Sequence, residues 1–388
     1  MYADKGNFGT NTWNEMINPS EFIKYLNSVD INFFCGVPDS LLKSFCAILT
    51  DTKTKSEHII TANEGSAIGL AAGYHLATGK TALVYMQNSG QGNTVNPLLS
   101  LVDKKVYNIP ILLLIGWRGE PGVKDEPQHI SQGELTIPLL ETMGIKYAVF
   151  DETWQQQVSI AVDYMRAKKE VYALIVRKNL FDDYKQQTLE KDLSNFNREQ
   201  AISQVAASMD TEDVVISTTG MISRELFEFR EHNCQSHEKD FLTVGSMGHA
   251  SQIALGVALQ QPYRRVWCFD GDGALLMHLG GMALIGNLKP TNYVHVVYNN
   301  SAHDSVGGQP TVAGDIDILQ IAKAVGYQYV ARVDNEQDLK AEIQKIKAMN
   351  VLTLLEIRVK KGARKDLGRP TTTPIENKNA FMRNLLDI

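Results

Sequence analysis

The apolar run Arg265–Asp270 leads into Gly271-Asp272-Gly273, and the run Tyr293–Tyr298 leads into Asn299-Asn300. Two such runs, each closing on a glycine or amide turn, are what neighbouring strands of a buried parallel sheet look like. A carboxylate at the end of one strand and an amide at the end of the next can grip one hard cation between them. Oxygen ligands of that kind suit Mg²⁺, which shares an octahedron with phosphate oxygens more readily than it enters a closed protein cage. The glycines beside Asp272 let backbone N–H groups approach phosphates, and the helix that follows presents its positive end. The plainer reading is a turn tripeptide and an amide pair that closes a strand.

The same alternation of short apolar runs and helix-period segments fills the rest of the chain. In the first half it predicts strands at 32–36, 58–61, 81–86, 110–115, 146–150 and 171–177. In the second it predicts them at 213–217, 241–244, 265–270, 293–298, 328–331 and 352–359. Runs such as Ile111-Leu112-Leu113-Leu114-Ile115 are apolar throughout, as strands covered on both faces are. The expected fold class is therefore α/β, with two doubly wound, mainly parallel sheets carrying helices on both faces. The stretch FDDYKQQTLEKDLSNFN (181–197) is polar and lacks periodicity, which is a linker composition. It predicts domains at 1–182 and 198–388 joined by 183–197. Polar and glycine clusters fall at the strand ends, where open α/β sheets bind ligands. They are Asn63-Glu64-Gly65, Asn88-Ser89-Gly90-Gln91-Gly92, Thr218-Thr219-Gly220 and Gly245-Ser246-Met247-Gly248, besides the two quoted above.

A chain of 388 residues with 44% hydrophobic and 21% charged residues reads as a soluble, two-domain globular protein. A net charge of −6 argues against chain-wide attraction to nucleic acid or to an anionic membrane. Cys35, Cys46, Cys234 and Cys268 show no CxxC spacing and read as buried thiols of a reducing compartment. The opening MYADKGNFGTNTWNEM is polar without a signal-peptide core, and no apolar run reaches the length of a membrane span. A cytoplasmic location is the expectation. A nicotinamide site is disfavoured, because no G-x-G-x-x-G follows the first strand.

The GDG and NN turns, taken with Glu64 in TANEGSAIGLAAGYHLATGK (61–80), resemble the cofactor-binding signature of thiamine diphosphate-dependent decarboxylases. The resemblance spans nearly the whole chain. It implies a pyrimidine-binding domain first and a diphosphate-binding domain second, without the central domain of longer relatives. It implies that Glu64 hydrogen-bonds the pyrimidine ring, so that the cofactor supplies its own base. Met247 is implied beneath the bend of the cofactor, with Gly245 and Ser246 beside it. Thr218, Thr219, Gly220, Gly271, Gly273 and Ala274 are implied around the diphosphate. Asp272, Asn300 and the carbonyl of Ala302 are implied as Mg²⁺ ligands. Asn299 stays open as an alternative, because the sequence continues Ser301-Ala302-His303-Asp304-Ser305 and departs from the usual family ending. Two plainer readings stand beside these: an isolated Met fills core, and Glu64 complements a helix start.

Within that family, GWRGEPGVKDEPQHISQG (116–133) and NNSAHDSVGGQPT (299–311) resemble the compact members that act on 3-phosphonopyruvate, with sulfopyruvate decarboxylases as near cousins. The implied reaction yields phosphonoacetaldehyde and CO₂, in phosphonate biosynthesis of the 2-aminoethylphosphonate type. The substrate's phosphonate needs cationic or N–H-rich recognition, for which Arg118, Lys124, Ser89, Gly90 and Gln91 are candidates, Arg being better matched to two oxygens than Lys. His129, placed in a loop, is the expected proton donor or carboxylate-positioning group. His249 and the pair His303-Asp304 stand behind it. The cationic run KKGARKDLGRP (360–370) is read as a lid bringing Arg364 or Arg369 to the substrate, or else as a solvated tail. The family places the cofactor between the first domain of one subunit and the second of another, which implies a homodimer at least. The alternatives are a sulfopyruvate decarboxylase, another thiamine diphosphate decarboxylase or synthase, and a catalytically silent cofactor-binding subunit.

Overall fold

The computed structural model describes residues 16–188 and 191–386, and every run expected to be a strand forms one. The chain divides into two units, at residues 189 and 190. In the first unit β1 (Phe34–Gly36), β2 (His58–Ile60), β3 (Ala82–Gln87), β4 (Ile111–Gly116), β5 (Lys146–Val149) and β6 (Tyr172–Val176) lie in the order β2-β1-β3-β4-β6-β5. In the second, β7 (Val214–Ser217), β8 (Asp240–Leu242), β9 (Val266–Gly271), β10 (Tyr293–Asn299), β11 (Tyr329–Val333) and β12 (Thr353–Arg358) lie in the order β11-β12-β10-β9-β7-β8. Read from β8, the second order is that of the first. All neighbours in both sheets are parallel.

The apolar runs behave as two-faced strands. In β4, Leu112 and Leu114 point into one core while Ile111, Leu113 and Ile115 point into another on the opposite face. In β10, Val294, Val296 and Tyr298 divide in the same way from Tyr293 and Val297. The period-2 geometry of a strand makes this unavoidable, and each such side chain, fully buried, contributes about 1.5–3 kcal/mol. Glycines set the closest helix contacts. A Cβ at Gly65 would sit 2.9 Å from the Asn93 carbonyl, and one at Gly286 would sit 2.0 Å from that of Val325.

The segment read as a linker is anchored at both ends: Asp51 accepts from the backbone N–H groups of Gln187 and Thr188, while Phe196 enters the second unit's core. Residues 189 and 190, between those anchors, lie outside the described residues, as does the N-terminal stretch read for its lack of a signal segment, Met16 excepted. Two expectations change. β8 stops at Leu242 and does not reach Val244, because the chain turns through Ser246 at φ +52° and Gly248 at φ +88°. Cys234 is exposed, whereas Cys35, Cys46 and Cys268 are buried as expected.

Candidate active site

In both sheets the end of the first strand lies beside the end of the third, where the strand order reverses and a ligand crevice forms. In the second unit β7 runs through Thr218-Thr219-Gly220 into the helix Met221–His232. Gly220 takes φ +96°, and that helix begins without a side-chain cap, so its first N–H groups are open to an anion. Thr219 Oγ1 donates to the Val244 carbonyl at 2.9 Å, and Ser223 Oγ donates to that of Thr218 at 2.7 Å.

β9 delivers Asp272 as the first residue of a helix of only six residues, Asp272–Met277. Its carboxylate is buried and accepts from Thr311 Oγ1 at 2.5 Å. Burial pushes its pKa up to about 7, against the opposing hydrogen bonds from Thr311 and the Gly273 N–H. Two further side chains converge on this turn: a Cβ at Gly273 would lie 3.0 Å from the His303 ring and 3.2 Å from Met247 Cε. Met247 belongs to none of the four apolar clusters of described residues, so core filling does not account for it. Gly245 and Ser246 lead into it, and Ala274 is buried behind the turn.

The two asparagines at the end of β10 differ. Asn299 uses its whole amide internally, with Nδ2 donating to Glu356 at 2.8 Å and to Ala313, and Oδ1 accepting from the Ser301 N–H at 3.0 Å. Asn300 donates from Nδ2 to Asp304 at 2.6 Å, while its Oδ1 accepts a single bond, from the Ala302 N–H at 3.0 Å. Ala302 is buried and bridges to Pro310 across the loop.

In the first unit Glu64 is the first residue of the helix Glu64–Thr78, yet its side chain turns inward. Asn93 Nδ2 donates to its Oε2 at 2.7 Å, and a Cβ at Gly90 would lie 2.3 Å from its Oε1. This first-turn carboxylate is held in a slot and does not face solvent. Ser89 is exposed and donates to Gln87, whereas Gln91 is buried against the Thr136 carbonyl. Asn88 staples the ends of β3 and β4, donating to the Arg118 carbonyl at 2.7 Å and accepting from its N–H at 3.1 Å.

The cationic candidates are less free than the sequence suggests. The Arg118 guanidinium forks onto both Asp125 oxygens, at 2.7 and 2.5 Å, and reaches Ser40 at 2.9 Å. It lines a cavity of about 380 Å³ with Ser40, Lys43, Trp117 and Lys178. Lys124 is exposed on the turn before Asp125. His129 lies in the helix Pro127–Thr142 and not in a loop; Pro127 at the first position starts the helix earlier than the glycine-rich composition suggested. The 360–370 run, read as a lid or a solvated tail, is tied to its own unit by side-chain contacts. Arg364 pairs with Glu199, Glu228 and Asp366, and Arg224 donates to the carbonyls of Leu367 and Gly368. Beyond it the helix Pro374–Leu386 buries Phe381, and Asn377 hydrogen-bonds the exposed edge of β8 at Asp240 and Leu242.

Comparison with known proteins matches residues 20–140 to the N-terminal TPP binding domain, and 216–357 to the C-terminal TPP binding domain, of thiamine pyrophosphate (diphosphate) enzymes. The chain is 32% identical to a phosphonopyruvate decarboxylase of Streptomyces viridochromogenes, over 94% of both chains. The chain belongs to the thiamine diphosphate-dependent decarboxylases. A phosphonopyruvate decarboxylase of Streptomyces hygroscopicus is 30% identical, over 94% of this chain and 93% of its own. A sulfopyruvate decarboxylase of Methanosarcina acetivorans is 27% identical, over 89% and 92%. This decarboxylase is thus of the phosphonopyruvate or sulfopyruvate type.

The decarboxylase has residues that fit a diphosphate with a divalent cation. Asp272 is a buried carboxylate to which no Lys or Arg pairs among the described residues, and a buried charge without a counter-ion is costly. A metal ion would supply the missing charge. Both amide atoms of buried Gln309 lack partners in the loop that carries Asn300, as a site awaiting a polar group would leave them. The sequence reading missed Gln309, Thr311 and Asp39. Asp39 is fully buried three residues beyond the end of β1; it accepts from Gln87 at 2.6 Å, in space that Gly116 leaves open. Its signal was a carboxylate in the short turn after an apolar strand at the reversal point.

Proposed function

We propose that this decarboxylase converts 3-phosphonopyruvate to phosphonoacetaldehyde and CO₂, with Mg²⁺ as the metal and phosphonate biosynthesis as its setting. The observation that carries the reading is a pair of phosphonopyruvate decarboxylases, 30% and 32% identical, that align over nearly the whole chain. Bound thiamine diphosphate supplies the carbon nucleophile and the electron sink that decarboxylation needs. Glu64, fixed by Asn93 and Gly90, hydrogen-bonds the pyrimidine nitrogen from its buried slot. Asp272, Asn300 Oδ1 and the Ala302 carbonyl hold the cation, a choice over Asn299 that the internal bonds of the Asn299 amide support. The N–H groups beyond Thr218-Thr219-Gly220, with Gly271 and Gly273, take the diphosphate, and Met247 supports the cofactor's bend beside Gly245 and Ser246. Ser89 and Gly90 approach the substrate, with Gln91 behind them. Arg118, held by Asp125, and Lys124 supply charge for the phosphonate, and His129 returns a proton before the aldehyde leaves.

The working assembly is a homodimer or larger, and the compartment is the cytoplasm, consistent with four free cysteines. Incubation with Mg²⁺, the cofactor and either 3-phosphonopyruvate or sulfopyruvate, following aldehyde release, tests the substrate. A higher kcat/KM for 3-phosphonopyruvate is expected. The sulfopyruvate reading is the second one, favoured by the methanogen enzyme's 27% identity, and a reversed preference would establish it.

A further inference from the structure

In the loop that carries Asn300, three donors from different parts of the unit meet on one oxygen of Asp304. Asp304 Oδ2 accepts from Arg198 Nη1 at 2.8 Å, from Asn300 Nδ2 at 2.6 Å and from the backbone N–H of Gly362 at 3.0 Å. Arg198 is itself buried and forks onto Glu225, Nε to Oε2 at 2.9 Å and Nη2 to Oε1 at 3.0 Å. Glu225 belongs to the helix that starts at Gly220, and Gly362 belongs to the docked cationic run. One carboxylate oxygen therefore joins the Gly220 helix, the Asn300 loop and the C-terminal run.

The bond to Asn300 has a chemical consequence. A flipped amide would set its oxygen against Asp304 and its nitrogen against the Ala302 N–H, losing two hydrogen bonds and creating two repulsions. The observed orientation leaves one lone pair of Oδ1 free for a cation. We infer that Asp304, held by Arg198, is a positioning residue that aims Asn300 at the metal and couples metal binding to the docked 360–369 run. The inference rests on the Mg²⁺ and thiamine diphosphate reading above. Charge alone points differently: removing the Arg198 cation would leave the site more negative and tighten a divalent ion, whereas lost positioning weakens it.

Mg²⁺ titrations of the purified full chain with thiamine diphosphate present, read by calorimetry, separate these outcomes. Wild-type chain that fails to take up metal and cofactor would overturn the functional reading itself. Given wild-type binding, Asp304→Asn is expected to weaken Mg²⁺ about tenfold and Asp304→Ala further. Circular dichroism of each variant should show the wild-type fold at the temperature of the titration. Arg198→Met is expected to weaken the metal too. Unchanged affinity in Asp304→Asn, or tighter binding in Arg198→Met, overturns the inference. A readout that needs no variant is trypsin cleavage of the native chain at Lys360, Lys361, Arg364 and Lys365. Metal plus cofactor should slow it several-fold, and an unchanged rate would overturn the coupling.

Discussion

Gly90 shows how one missing side chain makes room for a buried carboxylate. A methyl there would lie 2.3 Å from Glu64 Oε1, so Gly90→Ala must displace the carboxylate or the loop. The expected result is a fall of about 10²–10⁴ in kcat/KM, the scale of losing a positioned acid or base, with the fold retained by circular dichroism. Glu64→Gln should cause a loss of the same order while still binding the cofactor. His58 carries a stability prediction instead. Its ring is bonded to the Tyr85 hydroxyl at 2.8 Å, and burial holds its pKa down at about 4. Because the folded value lies below the unfolded one of 6.5, the unfolded chain binds the extra proton first as pH falls. His58 therefore favours the fold fully above about pH 6.5 and loses that contribution as pH falls towards 4. Between pH 7 and pH 5 the loss amounts to about 2 kcal/mol. Urea midpoints at the two pH values should show it, and His58→Gln should shrink the difference.

Helices in the second unit pack through backbone contact, and this can be tested at Gly286. Its ideal Cβ would sit 2.0 Å from the Val325 carbonyl, so Gly286→Ala has to push apart the helices Gly281–Leu288 and Ile318–Val325. Overpacking of this kind costs about 1–3 kcal/mol, visible as a lower urea midpoint with an unchanged slope. Elements are also the level at which the sequence was most legible. Strands buried on both faces carry continuous apolar runs, so β4 and β10 announce themselves, and the turns after them carry the polar residues. What the sequence could not show was the use of side chains over long separations. The amide of Asn299 is engaged by Glu356, 57 positions away, and no local pattern announces that bond. The cationic 360–370 run looked like a tail because its carboxylates, Glu199 and Glu228, come from helices more than a hundred residues earlier. Composition reports charge, and only the fold reports pairing.

Across the whole molecule, the two units share one strand order, and the two proposed site carboxylates fall one in each: Glu64 in the first, Asp272 in the second. If an active site takes its Glu64 from one chain and its Asp272 from another, two dead variants can rescue each other. Glu64→Ala would remove the proposed activating carboxylate and Asp272→Ala the proposed metal ligand, so each variant alone should lose nearly all turnover. A mixed dimer would then hold one site lacking both groups and one site lacking neither. Co-folding equal amounts of the two variants should give half mixed dimers, each with one of its two sites intact, and so about a quarter of wild-type activity. If both groups in each site belonged to the same chain, every site in the mixture would stay defective and activity would remain at the level of the separate variants. Mixing the purified proteins without unfolding should restore activity only as fast as subunits exchange. The time course of turnover after mixing therefore measures how tightly the chains are associated.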